Sequence, residues 1–399
     1  MLSERLKKAL IIAGSIVIAV CFVCILLLSH ALSMEKDKQP AGVMQDLTIP
    51  VALPSATLNL LPEPDKNSEP LLTFAVLGGS ADKTGKGEKF NEPALRSALS
   101  GIKEGCTAQF AVVLGDIATG SVLYENAKAN LNAWLKVATE YFPKSFFYPC
   151  FGLQESAHKS RNKILTEQDD RTDPKNTEKV EKDYKISMFS KVFDDFEISG
   201  LCHSVYGRTA YYIRRENCNF IVLNTKWYDQ MDRVSDTVRE WVENIAKNGA
   251  DFNIIFLYGT PFPTFSVGME MDAPYSTTTD DFSGKSNKAY RDAFWSMVDK
   301  LPGAVVFCGS EQLYARKTID KRYGDYLSNV FQINAAGLHG AFDTGVNDPN
   351  ALDAGPYYRE HYIIGMVYED RVTFEVRDAA DSALLDTFFV NEKGKSPAA

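Results

Sequence analysis

Short apolar runs that break at glycine recur along this chain, with helix-periodic stretches between them. "LLTFAVLGG" ends at Gly78-Gly79, "QFAVVLGD" at Gly115-Asp116, "FNIIFLYGTP" passes through Gly259, and "AVVFCGS" ends at Gly309-Ser310. A strand with one wet face alternates apolar and polar residues, so unbroken runs of this length predict strands covered on both faces. "EPALRSALSGIKE", "NLNAWLKVATEYF", "TVREWVENIAKN" and "AYRDAFWSMVDKL" carry the apolar spacing of helices that would do the covering. "SFFYPCFG" reads as a further buried strand, "AYYIRRENCNFIVLNT" as a hairpin, and "NVFQINAAG", "HYIIGMVYE" and "RVTFEVRDA" as later strands. The alternation predicts a layered α/β domain over residues 71–392 whose ligand edge lies at the strands' carboxyl ends. The loop Gly309-Ser310-Glu311-Gln312 sits at such an end, and its residue types alone do not say what it holds.

Ahead of this domain, Ala9 to Leu28 is a run of 20 uncharged, mostly apolar residues. At 1.5 Å rise per residue it spans a hydrocarbon core of about 30 Å. Arg5, Lys7 and Lys8 precede it, which places residues 1–8 in the cytoplasm and the rest outside. The expectation is a single-pass signal anchor at 9–28; a signal peptide cleaved after Ala31-Leu32-Ser33 is the alternative, and would give a secreted protein. Six of the 17 prolines fall between residues 34 and 70, so 29–70 reads as an extended stalk. Residues 156–200 read as a polar, charge-dense insertion with a short helix near Ile186 to Phe193, and 393–399 as a disordered tail.

The net charge of −9 gives no electrostatic support for nucleic-acid binding. Five cysteines lie beyond the apolar segment, too few for a disulfide scaffold; Cys202 and Cys218 are the expected pair if one forms. "GGSADKTGKG" mimics a phosphate loop, but five residues separate Gly79 from Gly85 and Gly87 follows Lys86 where Ser or Thr is needed. It is read as a flexible loop.

Eight segments in order carry a resemblance. They are Phe74 to Gly79, Phe110 to Asp116, Tyr148 to Glu155, Phe220 to Thr225, Trp241 in its helix, Ile255 to Pro261, Val306 to Gln312 and Ala335 to Gly337. Together they resemble the calcineurin-like metallophosphoesterases, and among these the purple acid phosphatases of the small, tartrate-resistant type. The resemblance implies a two-sheet β-sandwich flanked by helices with a dinuclear Fe, Zn or Mn centre at the strand ends. Two cations roughly 3.5 to 4 Å apart would generate hydroxide and clamp the phosphoryl oxygens.

Carried over by position, the family's first ligand aspartate falls on Gly79 and its bridging aspartate on Asp116. The tyrosine ligand falls on Thr119, the asparagine on Leu153 and the histidine that assists the leaving group on Gln154. The later histidine ligands fall on Gly259, Ser310 and Gln312. Of the seven metal-ligand positions, Asp116 alone keeps a ligand type. Glycine and leucine offer no donor, and neutral Thr, Ser and Gln oxygens do not replace carboxylate or imidazole at a transition-metal site. His158, His203, His339 and His361 fall at none of these positions.

Alternative roles remain for these residues. Asp116 is read as a cap where its strand turns into a loop and helix, against the alternative of a new cation site with Asp82, Ser310 and Glu311. His158 is assigned to the polar insertion. A His339–Cys308 nucleophilic pair is set against an inert thiol in an apolar strand. The expectation is an exported, membrane-anchored pseudophosphatase with no catalytic residue and no cofactor. It would act by binding a protein or small ligand at a vacated cleft around Asp116, Leu153, Gln154, Gly259, Ser310, Glu311 and Gln312. The alternatives are a phosphoric-ester hydrolase with a rebuilt or single-metal site, and a structural ectodomain.

Overall fold

The computed structural model describes residues 69–121, 123–157, 184–226, 232–265, 267–274, 285–347 and 351–391. The apolar segment 9–28, all but the last two residues of the stalk, His158, most of the insertion and the tail lie outside these residues. Among the described residues no helix is long and apolar enough to cross a membrane.

Two mixed sheets face each other. In the first, β1 (Leu72–Leu77), β2 (Ala111–Val113) and β3 (Phe147–Pro149) run parallel, and β12 (His361–Val367), β13 (Arg371–Asp378) and β14 (Leu384–Asn391) extend it antiparallel beyond β1. In the second, β6 (Cys218–Leu223), β7 (Phe252–Leu257), β8 (Ala304–Cys308) and β10 (Val330–Ala335) are parallel. Antiparallel β5 (Tyr211–Arg215) and β4 (Gly200–Leu201) flank one side, and β9 (Tyr314–Ile319) and β11 (Ala354–Tyr357) the other.

The unbroken apolar runs are explained by which neighbour each face meets. On the second sheet Phe220, Val222, Phe252, Ile254, Phe256, Val305 and Phe307 point into the space between the sheets. The intervening Ile221, Leu223, Ile255, Leu257, Val306 and Cys308 point outward into a second core. That outer core is closed by α5 (Asp236–Ala246) through Val238, Val242 and Ile245, and by α6 (Asn287–Val298) through Phe294, Trp295 and Val298. Each of these helices starts on a serine whose hydroxyl accepts a backbone N–H three residues on, Ser235 for Val238 and Ser286 for Ala289. Aromatic rings stitch the two sheets: Phe74 meets Phe220 edge-on at 4.9 Å, and Phe307 meets Phe374 at 5.3 Å. The outer face of the first sheet carries α1 (Glu92–Gly105) and α2 (Tyr124–Ala138), with Trp134 packed edge-on against Phe147.

Three expectations need correction. The short helix expected near Ile186 to Phe193 is present as α4 (Tyr184–Val192), but it is not polar: it buries Met188, Phe189 and Val192, and Phe193 follows them into the core beside Trp134. No disulfide joins Cys202 to Cys218. The register gives the reason, because Cys202 bonds to Ala210 at one end of β5 while Cys218 pairs with Arg215 at the other. Five residues of strand separate those ends by about 17 Å, beyond the roughly 7 Å that a disulfide bridges. Strands β4, β9 and β11 also join the sheet without having been expected.

Candidate functional site

The parallel strands of both sheets end at one edge of the sandwich, and there their backbones touch. A β-carbon at Gly309, after β8, would lie 2.3 Å from the Leu114 carbonyl oxygen after β2. Glycine alone permits that approach. Backbone pairing runs on past the strands, with the Gly309 N–H on the Tyr258 oxygen at 3.0 Å and the Cys150 N–H on Val113 at 2.7 Å.

Asp116 stands at the centre, 1% exposed, with a left-handed φ of 48°. Its Oδ1 accepts the Gln154 N–H at 2.8 Å, and its Oδ2 accepts the Tyr258 hydroxyl at 2.9 Å and Lys83 Nζ at 2.9 Å. It was expected to cap the segment it begins; instead it caps the short helix α3 (Leu153–Ser156) from another strand. Glu155 of α3 returns the contact. Its carboxylate accepts the N–H groups of Asp116 at 2.9 Å, Ile117 at 2.8 Å and Gly152 at 2.9 Å. Two buried carboxylates thus each cap the other's loop. Burial, and then the charge of Asp116, push the Glu155 carboxyl up to about 8. Burial and Asp116 also raise the Tyr258 phenol well above its usual range, which keeps its proton on the donor side.

The segment from Gly79 to Asn91 folds over this pair. The Ala81 N–H donates to the Asp116 carbonyl at 2.9 Å, and the Ser80 hydroxyl donates to Ile117 at 2.8 Å and accepts Trp134 Nε1 at 3.0 Å. Thr119, at the family's tyrosine position, accepts the Asp82 N–H at 2.9 Å and donates to the Glu88 carbonyl at 2.8 Å. Asp82 is spent within the same loop on the Thr84 and Glu88 N–H groups and the Thr84 hydroxyl. His339 Nδ1 lies 2.9 Å from the Ala81 oxygen, and burial lowers its pKa, so the ring is neutral. Cys308 is not its partner, for the thiol donates to Asn334 Oδ1 at 2.8 Å and burial drives it well above the usual thiol range.

On the other side, Glu311 is 2% exposed. Its carboxylate takes the Thr264 N–H at 2.7 Å, the Phe265 N–H at 2.5 Å and the Asn334 amide. It anchors the loop after β7 instead of facing a ligand. Replacing it, Glu311→Gln, turns a donor toward those N–H groups; the expected loss is about 1–3 kcal/mol. Urea unfolding would register that loss, and limited proteolysis would show new cleavage after residue 264. Unchanged stability would mean the carboxylate is not the anchor.

The remaining family positions are likewise committed or outward. Ser310 Oγ shares a hydrogen bond of 2.8 Å with Thr260, the Gln312 N–H donates to Asp343 at 2.8 Å, and Gln154 Oε1 accepts the Gly120 N–H at 2.7 Å. Leu153 is 46% exposed. Gly259 is buried, its N–H on the Thr225 hydroxyl at 2.9 Å. The expected cleft residues therefore do not share one surface: Asp116, Gly259 and Glu311 are interior, and Leu153, Gln154, Ser310 and Gln312 reach solvent.

Gly79 decides whether this residue set fits a dimetal centre. A β-carbon there would lie 2.3 Å from the Gly115 oxygen, 2.6 Å from the Asp116 oxygen and 2.8 Å from His339 Cε1. The position that the family gives to a ligand aspartate has no room for a side chain. Asp82, Ser310 and Glu311 do not gather with Asp116 into a new cation site either, since each is bonded into a separate loop. Among the described residues no three His, Cys, Asp or Glu side chains form a metal-binding group. The donors present do not fit two transition metals. Reasoning from residue types missed Lys83, Tyr258 and the capping role of Glu155, because no spacing rule links a lysine in a glycine-rich loop to an aspartate on the next strand.

The two sheets, their order and the strand-end edge define the fold of the calcineurin-like metallophosphoesterases. A purple acid phosphatase, PPD1 from yellow lupin (Lupinus luteus) seeds, superposes with a TM-score of 0.51 at 11% identity, over 82% of this chain and 56% of the lupin one. PhoD superposes with a TM-score of 0.52 at 12% identity, over 81% of this chain and 70% of its own. This chain thus spans little more than half of the lupin enzyme. No family model and no curated protein matches the chain in sequence.

Proposed function

We propose that this chain uses the metallophosphoesterase fold without its dimetal chemistry and acts by binding, as a pseudophosphatase held to a membrane by residues 9–28. The observation that carries the reading is the closure at Gly79, where backbone occupies the place of the first ligand side chain. Loss of a donor by substitution is reversible in principle; loss of the space is not. The retained Asp116 supports the same reading, since its oxygens are taken by a lysine, a phenol and a backbone N–H. The binding surface is proposed at the exposed part of the strand-end rim, around Leu153, Gln154, Ser310 and Gln312, with a protein or small ligand as its occupant.

The test is elemental analysis of the purified full chain, with hydrolysis of an aryl phosphate in the presence of added Fe, Zn, Mn or Mg. No stoichiometric metal and no turnover above a denatured control are expected. About one metal ion per chain, with turnover abolished by Asp116→Asn, would overturn the reading.

A further inference from the structure

The edge where the fold family holds two cations contains a cation of the chain's own. Lys83 reaches from the segment between β1 and α1 and sets Nζ 2.9 Å from Asp116 Oδ2; its side chain is 21% exposed and that of Asp116 is 1% exposed. The other donors to this carboxylate, the Tyr258 hydroxyl and the Gln154 N–H, are neutral. Neutral donors alone leave a buried carboxylate with an uncompensated charge. The neighbouring acid, Glu155, supplies no counter-charge. Lys226 passes 5.2 Å from the Tyr258 ring, but its ammonium is bound to Asp232 and Glu270. Lys83 is therefore the compensating charge.

We infer that Lys83 is a tethered counter-ion that takes the electrostatic place of a metal at Asp116 and, by doing so, clamps the 79–91 segment across the strand ends. The inference rests on the proposed reading that the dimetal ligands no longer fit, and adds what has replaced them. The segment is routed for this role. Ser80 is tied to Ile117, Ala81 to the Asp116 carbonyl and Asp82 to Thr119, so the next side chain along is delivered to the carboxylate. Tyr258 and Lys83 share Oδ2, and Gln154 takes Oδ1, so both oxygens are engaged. An ammonium supplies charge without an open coordination position. The clamp thereby keeps the loop shut and gives neither a phosphate nor a water molecule a place to be activated.

Thermal unfolding of the full chain tests this, in chelator-treated buffer, beside Lys83→Met, Asp116→Asn and the double variant. Methionine keeps the apolar stem, and asparagine tolerates the left-handed φ at residue 116. Lys83→Met is expected to lower the unfolding midpoint by about 5–10 °C, as for one partner removed from a buried pair in a large domain. In the Asp116→Asn background the same change is expected to lower it by less than about 3 °C. A Lys83→Met chain that cannot be recovered, beside a double variant that can, is the same result. Equal losses in both backgrounds, no loss in either, or failure to recover both Lys83→Met chains would overturn the inference. Adding MnCl2 or ZnCl2 separates the two claims: a rise in the wild-type midpoint would sink the proposed function, whereas additive losses without a metal response would sink the tethered counter-ion alone.

Discussion

Gly79→Asp restores the ligand type that the fold family places after its first strand, and the expected result is a damaged fold. The new β-carbon would sit within 2.6 Å of two backbone carbonyl oxygens, those of Gly115 and Asp116, and 2.8 Å from a buried histidine ring. Neither carbonyl swings aside as a surface side chain would. The Leu114 N–H is bonded to Leu77 and the Asp116 oxygen to the Ala81 N–H, so movement at one strand end pulls on the next. The substitution also brings a second carboxylate close to Asp116 in a buried site. The expected loss is about 4 kcal/mol or more, in the range of overpacking combined with a buried charge. Urea unfolding or the yield of soluble chain measures it. A Gly79→Asp protein with wild-type stability that also takes up manganese would show that the strand ends part readily.

Glu155 is the second position where a large effect is expected. Glu155→Ala leaves three buried N–H groups, on Asp116, Ile117 and Gly152, without their acceptor. At about 1–3 kcal/mol for each of the three stranded donors, the loss is about 3–9 kcal/mol and separates the β2 and β3 loops. Glu155→Gln tests the charge instead. The folded-state carboxyl is raised to about 8, against about 4.3 in an unfolded chain. The folded form therefore holds a proton that the unfolded form releases, so the contribution is full below about pH 4.3 and is lost as pH rises toward 8. The wild-type midpoint is expected to fall from pH 5 to pH 8 more steeply than that of Glu155→Gln, which carries no titrating group there. Parallel pH profiles for the two proteins would show that the Glu155 carboxyl is not raised.

Much of this architecture was legible because its strands are buried on both sides. β6, β7 and β8 announce themselves as unbroken apolar runs, and the inner and outer cores explain why no alternation interrupts them. β9 was not legible: "YARKTI" exposes Arg316 and Thr318 partly while burying Lys317, whose ammonium donates to the Phe262 carbonyl at 2.8 Å. Lysine there reads as a wet face, and the partner that makes it an interior residue belongs to another loop. Cys202 and Cys218 misled for a related reason, since flanking one strand in sequence placed them at its opposite ends in space. At the candidate site the change of donor types was visible residue by residue. The closure was not, because it depends on carbonyl groups, which look alike in every sequence. Glu311 was expected in the vacated cleft and Glu155 only closes a resembling segment, yet both turn toward amide groups.

The pairing of β1 sets an order of events for synthesis. β1 lies inside its sheet, with β2 on one side and β12 on the other, so Leu72 waits for Val367 and Leu77 for Tyr362. The nascent domain thus carries an apolar strand with one open edge until almost all of the chain has been made, and such edges recruit wrong partners. Helix α1 packs on the same sheet and shields one face of β1 early, but it cannot supply the missing hydrogen bonds. A chain cut before His361 is consequently not a smaller version of this domain but an unfinished one.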